Sequence, residues 1–395
     1  MKIIYNIGIW LYILAIHLSS LFNFKAKKWI EGRKNIFKKL TQITKKKTDI
    51  VWFHCASLGE YEQGKPIIKA YKLKFPKHKI LLTFFSPSGF ETKKRSLLAD
   101  WIFYLPADTK TNAKTFIKII NPIKVIFIKY EFWLNYITEL NKKNIPFYSV
   151  STVFRSEQIF FKFKWFGKKL NHVNHFFLQN KKSALLLENI GIKNYTITGD
   201  TRFDTVLANA KKEVIIPLLK RFIKNENTIV CGSTWPKDEK LLIQYIRNHP
   251  NKKYIIAPHE LNNITYLKEQ TNALLYSNAN KTNILTNNVL IIDSIGILSN
   301  IYKYGDLAYI GGGFDSGIHN ILEAATFGLP VVFGPNYHKF NEAFDLINYN
   351  AAISISNYKE LKSGIEMLTN YNKSTSIDYI KKNSGATRKI LKLIK

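Results

Sequence analysis

The chain has 395 residues, of which 46% are apolar and 14% aromatic, and its formal net charge is +31. That apolar content can bury a core, which excludes a disordered basic tail protein, and the length favours two domains. Because the chain has only two cysteines, Cys55 and Cys231, it is not a disulfide scaffold, and we expect two buried thiols.

The positive charge has three possible origins at this stage. It is typical of nucleic-acid binding, and also of proteins that meet an anionic membrane or a polyanionic substrate. The third origin is compositional, because the chain is rich in Lys, Asn and Ile, whose codons are AT-rich. Charge alone therefore does not decide the function.

The N-terminus is predicted to be a membrane anchor over residues 1–24. Residues 3–24 contain no Lys, Arg, Asp or Glu, and a helix over them would rise about 33 Å, enough to cross a hydrocarbon core of about 30 Å. The basic stretch follows the apolar one, so a cleaved signal peptide is not expected. The helix is predicted to span the membrane or lie at its surface; the alternative is a buried core helix.

A basic juxtamembrane segment is predicted at residues 25–47. It holds ten Lys and Arg against one acid, Glu31, and so accounts for nine of the 31 charges. Such a flank stays on the cytoplasmic side. We therefore expect the bulk of the chain to face the cytoplasm from the inner membrane, with the anionic membrane surface as a partner.

From residue 48 onward, predicted strands and helices alternate, which favours a parallel sheet with helices on both faces. The first series of strands is predicted at 49–55, 79–85, 101–105, 124–128 and 146–150, with a helix near 61–75. The pattern restarts with strands at 227–231, 253–257, 289–292 and 307–310, and a helix from about 237. We expect two Rossmann-like domains that face each other across a cleft.

The predicted bounds follow from this restart. They are an N-terminal acceptor domain at 48–205, an interdomain helix at 206–226, a nucleotide domain at 227–375 and a C-terminal helix at 376–395 that packs back on the first domain. Within the first domain, residues 159–170 mix aromatic and basic side chains. That segment is either a second contact with lipid headgroups or a helix that covers the core.

The clearest chemical signal is a glycine triplet after the strand at 307–310. Gly311, Gly312 and Gly313 precede a predicted helix that opens at His319–Asn320 and runs to about residue 327. Glycines let a ligand approach the backbone, and free N–H groups at a helix start favour phosphate. Glu323 could accept hydrogen bonds from ribose hydroxyls. The sequence therefore predicts a nucleotide site; the alternative is a structural turn.

A second signal lies on the loop after the first strand, where Ser57–Leu58–Gly59–Glu60 begins a helix. A carboxylate there could act as a general base, or could simply cap the helix. A helix N-terminus lowers the pKa of a carboxyl group whereas a base needs a raised pKa, so burial would have to oppose the helix. The nine histidines have no zinc-type spacing, so no metal is expected.

Several motifs in order resemble one family, the Kdo (3-deoxy-D-manno-octulosonic acid) transferases of lipopolysaccharide synthesis. They cover roughly residues 50–345 and are WFHCASLGE at 52–60, TFFSPSGFE at 83–91, YLPAD at 104–108, YEFWLN at 130–135, FRSE at 154–157, GDTRFD at 199–204, CGSTWPKDE at 231–239 and GGGFDSGIHNILEAATFGLPVVFGP at 311–335.

The resemblance implies an inverting GT-B glycosyltransferase with an N-terminal membrane anchor. It would move Kdo from CMP-Kdo to the lipid A precursor lipid IVA, with no cofactor and no nucleic-acid partner. It implies that Glu60 is the catalytic base and Glu131 a second functional acid. Nucleotide-binding residues are expected at Gly232, Ser233, His259, Gly311, Gly312, Gly313, His319, Asn320 and Glu323, and substrate-binding residues at Ser57, Gly59, Ser88, Lys129 and Arg202.

The sequence departs from the family pattern at two places. The family often has Pro-Arg-His where this chain has Pro258–His259–Glu260, so another residue must supply the positive charge of the arginine. It also often has an acid where this chain has Lys129. Three alternatives stay open: a GT-B transferase with a UDP-sugar donor, a basic nucleic-acid-binding protein and a membrane protein without catalysis.

Overall fold

The computed structural model describes residues 1–44, 48–129, 131–212, 214–224 and 226–394. Residues 45–47 of the predicted basic segment and Tyr130 of the YEFWLN motif lie outside the described residues. The chain divides into two compact units: unit 1 is residues 1–205 with 384–395, and unit 2 is residues 206–383. The predicted basic segment belongs to unit 1.

Unit 1 is built on a parallel sheet of seven strands. They are β1 (Ile50–Cys55), β2 (Lys79–Phe84), β3 (Trp101–Tyr104), β4 (Lys124–Ile128), β5 (Phe147–Thr152), β6 (His175–Leu178) and β7 (Tyr195–Ile197). Their order in space is β3-β2-β1-β4-β5-β6-β7. The chain thus leaves β1 toward one edge and returns to β4 on its other side, and this reversal is a topological switch point.

The strands of this sheet are apolar on both faces, as a parallel sheet covered by helices requires. Every residue of β1 is buried. Trp52, Val125 and Phe127 pack into one core layer, whereas Val51 and Phe53 pack into the layer on the opposite face. The alternation fixes the register, because a shift of one residue would exchange the two layers.

The helices of unit 1 cover both faces of the sheet, and the boundary between the units falls within the last of this series. They are α1 (Lys2–Ser19), α2 (Phe24–Glu31), α3 (Ile36–Ile43), α4 (Leu58–Lys74), α5 (Pro87–Lys93), α6 (Lys110–Ile120), α7 (Leu134–Lys142), α8 (Ile159–Lys162), α9 (Lys164–Leu170), α10 (Lys181–Glu188) and α11 (Thr201–Ala210).

Unit 2 repeats the architecture with seven parallel strands. They are β8 (Thr228–Thr234), β9 (Lys253–Pro258), β10 (Leu274–Leu275), β11 (Val289–Ile291), β12 (Leu307–Ile310), β13 (Val331–Phe333) and β14 (Ala352–Ser354). Their order is β10-β11-β9-β8-β12-β13-β14, so the switch point lies between β8 and β12.

The helices of unit 2 begin within the predicted interdomain segment, which is two helices rather than one. They are α12 (Pro217–Ile223), α13 (Pro236–Asn248), α14 (Ile264–Thr271), α15 (Leu298–Ile301), α16 (Leu322–Ala325), α17 (Asn341–Asn348), α18 (Tyr358–Met367) and α19 (Lys373–Asn383). The predicted C-terminal helix is likewise two helices, since α20 (Ala386–Leu393) follows α19 and belongs to unit 1. There α20 contacts α4, and Asp204 accepts from the backbone N–H of Thr387 at 2.6 Å.

Helix α1 is long and apolar enough to cross a membrane by length and composition. None of its residues is buried, so the alternative of a core helix is wrong. One side of α1 is nevertheless docked on unit 1. The Tyr5 hydroxyl donates to Asp108 at 2.6 Å, Asn135 donates to Asn6 at 3.0 Å, and the ring of Tyr12 stacks on that of Phe85.

The segment that follows α1 is also part of the folded unit. Trp29 of α2 and Leu40 of α3 are buried. The Arg33 guanidinium lies 3.7 Å from the Trp29 ring centroid, and its Nη2 donates to the carbonyl of Phe85 at 2.8 Å. Arg33, which belongs to the predicted basic juxtamembrane segment, therefore packs within unit 1. Burial lowers its pKa.

The aromatic and basic segment 159–170 forms α8 and α9. Phe166 and Leu170 are buried, and Phe160 and Trp165 pack against the same core. Ile159 and Phe163 are the large apolar side chains of this segment that stay exposed, at 41% and 49%. Most of the segment therefore covers the core, which agrees with the interpretation of a core-covering helix given above.

Candidate active site

The residues singled out by sequence gather at the switch point of each sheet. In unit 1, Glu60 follows β1, and Lys129 and Glu131 follow β4, the neighbouring strand. In unit 2, the glycine triplet follows β12, which pairs with β8 so that Ile310 lies opposite Gly232. Open parallel sheets bind ligands at this position, beyond the carboxyl ends of the strands.

Glu60 is a buried carboxylate in the first turn of α4, with only 5% of its surface exposed. Its Oε2 accepts hydrogen bonds from the backbone N–H groups of Ala56 and Ser57, the second at 3.2 Å. Ser57 is the N-cap residue, so Glu60 occupies the N3 position of a capping box. The capping interpretation is therefore correct, and the same carboxylate is also a candidate base.

Burial and the neighbouring charge of Glu131 raise the pKa of Glu60 well above its usual range. The hydrogen bonds from Ala56 and Ser57, and the charge of Lys129, oppose that rise without cancelling it. Burial also raises the pKa of Glu131. Burial and the repulsion of a second carboxyl group thus give Glu60 the raised pKa that a base requires, which is the condition the sequence left open.

Lys129 lies beside this pair in a left-handed backbone conformation, with φ 70°. Burial lowers the pKa of Lys129 and the charge of Glu60 opposes that effect, whereas the charge of Arg202 adds to it. Arg202 forms an ion pair with Asp200, with Nη2 at 2.7 Å from Oδ2. Its charge is therefore partly neutralised, which the sequence did not predict. Arg155 of the FRSE motif is a further cation whose charge acts on Lys129.

The remaining predicted residues of unit 1 differ in position. Gly59 is exposed in the first turn of α4, and a Cβ built there would meet no neighbour closer than 4.0 Å, the Ser57 hydroxyl. Packing therefore does not require a glycine at that position. Ser88 lies at the start of α5, after the adjacent strand β2, where its hydroxyl lies 3.0 Å from that of Ser86 and is exposed.

The glycines of unit 2 are required by the packing of two loops. A Cβ on Gly311 would collide with the carbonyl oxygen of Ser233, and a Cβ on Gly313 would lie 2.6 Å from Gly334. Gly312 adopts φ 90°, which favours glycine. Gly232 faces the hydroxyl of Tyr302, with which a Cβ would collide. Ser233 also has a positive φ, of 55°.

Asp238 holds this loop, and the sequence analysis did not assign it a role. It is fully buried and accepts from the Tyr309 hydroxyl at 2.8 Å and from the backbone N–H groups of Gly312 and Trp235 at 2.9 Å each. Burial raises its pKa. An acid at N3 of a predicted helix signals a cap, but nothing in the sequence links it to a loop 74 residues away.

Three rings stand together beside the glycine loop. The Trp235 indole N–H donates to His319 Nε2 at 3.0 Å, and the two rings are nearly coplanar, at 9°. The His259 ring stacks on both, with centroids 4.6 Å from Trp235 and 4.5 Å from His319. Burial and the charge of His259 lower the pKa of His319 to about 4. His319 is therefore neutral at pH 7, with Nε2 as acceptor and its proton on Nδ1.

The helix after the glycine loop is shorter than predicted. It is α16, Leu322–Ala325, so His319 and Asn320 precede it and do not open it. His319 N–H bonds to the Gly311 carbonyl at 3.1 Å, which keeps the chain in the loop. Asn320 accepts from Leu322 N–H at 3.2 Å and donates to Glu323 at 3.0 Å, so these two predicted residues are adjacent.

Comparison with known proteins finds Kdo transferases as relatives of this chain. Residues 31–205 match the family described as 3-Deoxy-D-manno-octulosonic-acid transferase (kdotransferase). The 3-deoxy-D-manno-octulosonic acid transferase of Rickettsia bellii is 27% identical over 85% of this chain and 83% of its own, and that of Aquifex aeolicus is 26% identical over 83% and 88%. The Haemophilus influenzae transferase is 26% identical over 87% and 86%. The chain is therefore similar to Kdo transferases over most of its length.

Solved structures agree on the fold. The UDP-GlcNAc 2-epimerase of Neisseria meningitidis gives a TM-score of 0.60 at 14% identity, covering 88% of this chain and 99% of that one. A glycosyltransferase from Rickettsia africae gives 0.54 at 14% identity, covering 88% and 98%. The predicted GT-B class, with two Rossmann-like sheets, is confirmed for this chain. Among the described residues, no group of three or more His, Cys, Asp and Glu side chains is arranged to hold a metal ion.

Proposed function

We propose that this protein is a Kdo transferase that moves Kdo from CMP-Kdo to lipid IVA in lipopolysaccharide synthesis. The observation that carries the proposal is the pair of the buried Glu60 and the partly buried Glu131 at the switch point of unit 1. Both carboxyl groups have raised pKa values, and Glu60 follows the first strand as the family pattern requires of its base. The names of the relatives support the transferred sugar.

The reaction is an inverting displacement. The acceptor hydroxyl oxygen attacks the anomeric carbon of Kdo, the bond from that carbon to the CMP phosphate oxygen breaks, and Glu60 takes the hydroxyl proton. The raised pKa of Glu60 makes it a stronger base than an exposed carboxylate. Glu131 contributes by its charge, which increases the proton affinity of Glu60. No cofactor takes part in this scheme, which stays a prediction.

The nucleotide is assigned to unit 2. The N–H groups of Gly311 and Gly312 already donate to the Gly232 carbonyl and to Asp238. The CMP phosphate, where negative charge develops as CMP leaves, is therefore assigned to the Nδ1–H of His319 beside the glycine loop. Glu323, fixed by Asn320, is placed to accept from ribose hydroxyls. His259 occupies the position of the family arginine. The Kdo carboxylate and the acceptor phosphates are assigned to Lys129, Arg155 and the Asp200-bound Arg202, with Ser57, Gly59 and Ser88 nearby on the same sheet edge.

We place the enzyme at the cytoplasmic face of the inner membrane. Large apolar side chains on α1 are exposed, among them Ile3, Trp10, Leu14 and Leu18 at 55–74%. The opposite side of α1 is pinned by Tyr5, Asn6 and Tyr12. A helix bound along its length to a folded unit is suited to lie in the interface rather than to cross the bilayer.

The decisive experiment is mass spectrometry of the product from CMP-Kdo and tetraacylated acceptor, with UDP-glucose and UDP-GlcNAc as competing donors. We expect Kdo transfer only, and the spectrum counts the sugars added. Glu60→Gln should lower kcat about 100- to 10,000-fold while CMP binding is kept. Transfer from a UDP-sugar would favour the alternative donor, and near-normal turnover of Glu60→Gln would remove Glu60 as the base.

A further inference from the structure

A cavity beside the catalytic pair points to a site for one hydrocarbon chain. We propose that an acyl chain of the lipid acceptor enters the space between α1, the segment 131–134 and the helices α8 and α9. This rests on the proposed function, because it presumes an acylated acceptor. It adds a binding site in unit 1 by which the enzyme would recognise the lipid part of the acceptor as well as its sugar.

The cavity has a volume of about 420 Å³ and lies wholly within unit 1. Phe132, Leu134 and Phe166 line it and are at most 8% exposed, so they form its inner wall. Ile4 and Ile159 also line it but are 62% and 41% exposed, and they mark its mouth. The space therefore leads from the surface of α1 into the interior.

The chemistry of the wall favours a saturated chain. Apart from the Glu131 carboxyl group, the polar side-chain groups of the lining are the Trp133 indole N–H and the Tyr5 hydroxyl, which already donates to Asp108. A polar ligand would lose its hydrogen bonds with water and find few partners here. Methylene groups lose nothing and gain the burial of apolar surface, about 0.8 kcal/mol for each group.

The position of the cavity selects the acceptor among possible lipids. Its mouth is continuous with the exposed apolar side of α1, to which Ile3 and Leu11 belong, so a chain can enter directly from a lipid layer. Its other end is Glu131, whose charge acts on Glu60. An acyl chain held in the cavity brings the sugar attached to it to the carboxylate pair. A membrane phospholipid in the same place would block the carboxylate pair instead.

Gly8 offers a way to fill the cavity without breaking a contact. It lines the space, it lies in the interior of α1, and a Cβ built on it meets no atom within 4 Å. Gly8→Phe therefore adds a ring to open space. Ala15→Phe is the matched control, because Ala15 is exposed on the same helix and does not line the cavity.

The test compares a tetraacylated acceptor with its fully deacylated counterpart, both with CMP-Kdo in detergent solution. For Gly8→Phe we expect KM to rise about tenfold for the acylated acceptor and to stay unchanged for the deacylated one. Ala15→Phe should change neither. Equal KM values of the unchanged enzyme for both acceptors would overturn the inference alone, whereas absence of Kdo transfer to either would overturn the proposed function.

Photochemical labelling keeps the inference testable should Gly8→Phe misfold. An acceptor with a diazirine near the end of one acyl chain should label peptides that contain residues 4–9, 131–134 or 159–166 of the unchanged protein. Excess deacylated acceptor should reduce this labelling, because it competes for the sugar site at the carboxylate pair. Labelling confined to the exposed side of α1, or loss of labelling with a tenfold excess of phosphatidylglycerol, would overturn the assignment to the acceptor.

Discussion

The two switch points of this molecule have the same topology but use their acidic residues differently. In unit 1, Glu60 is buried and Glu131 is partly buried, both have raised pKa values, and their mutual repulsion is left in place. In unit 2, the buried acid Asp238 has three hydrogen-bond donors and holds the glycine loop. One site keeps a carboxylate ready to take a proton, while the other uses its carboxylate to fix backbone N–H groups.

The comparison teaches that position in a fold does not determine the role of a residue. Both sites lie beyond the carboxyl end of the first strand of their sheet, and each has an acid at N3 of the following helix. Both acids accept from two backbone N–H groups, but the charge of another acid acts on Glu60, whereas Asp238 also accepts from a tyrosine hydroxyl. Removal of the Glu131 charge should therefore stabilise unit 1, whereas removal of the Asp238 charge should destabilise unit 2.

The largest effect is expected for the glycine loop. Gly311→Ala should cost about 3 kcal/mol or more, because its Cβ would collide with the Ser233 backbone, which cannot move away as a side chain could. Gly59→Ala is the control, since that Cβ has room and alanine favours a helix. Urea unfolding, with hydrogen exchange of peptides from each unit, would measure both. Equal losses for the two variants would contradict the difference drawn between the loops.

Removal of the carboxylate in unit 2 should have the next largest effect. Asp238→Ala leaves the N–H groups of Gly312 and Trp235 and the Tyr309 hydroxyl without their partner, at a cost of about 2–4 kcal/mol. We expect CMP binding, measured by calorimetry, to weaken as the loop loosens. If CMP affinity were unchanged in a folded variant, Asp238 would not be the group that orders the loop.

In unit 1, removal of a carboxylate is expected to increase stability. Because the folded state raises the pKa of Glu131, it binds a proton more tightly than the unfolded state, and stability falls as pH rises from about 4.3 through the raised value. Glu131→Gln abolishes that loss. The variant should be more stable than the original by about 2 kcal/mol near pH 8 and nearly equal near pH 4. A difference that does not change with pH would contradict the pairing.

The smallest effect is expected among the three rings. Trp235→Phe keeps a ring in the stack but removes the hydrogen bond to His319 Nε2, at a cost of about 1 kcal/mol. Since that bond favours the neutral imidazole, the pKa of His319 should rise from its lowered value. Titration of the His319 ring by NMR would show this, and an unchanged pKa would mean that burial and the charge of His259 lower it without help from the hydrogen bond.

Much of the fold could be predicted from apolar runs. The strands at 124–128 and 307–310 agree with β4 and β12. The strands β6 and β7 were missed because they are four and three residues long, too short for a pattern of alternation to be recognised. The helix after the glycine triplet was overextended, because Ile321 to Phe327 reads as helical whereas the bond of His319 to Gly311 holds the preceding residues in the loop.

The site was predictable as far as its residues lie in recognisable motifs. Glu60, the glycine loop and the Asn320–Glu323 pair were identified in this way. The pKa of Glu60 was not, because it depends on burial and on Glu131, which lies 71 residues away in the chain. The ion pair of Arg202 with Asp200 and the bonds of Asp238 are likewise properties of packing, which spacing in the sequence does not reveal.

Each of the two similar units contains one buried thiol, so the opening of each unit can be followed separately. Cys55 ends β1 of unit 1 and Cys231 lies in β8 of unit 2, both fully buried, and burial raises the pKa of each. Neither can be alkylated until its own sheet opens, because the thiolate is the reactive form. Each unit thus contains one thiol whose alkylation reports its opening. The order in which an alkylating reagent modifies Cys55 and Cys231 shows which unit opens first.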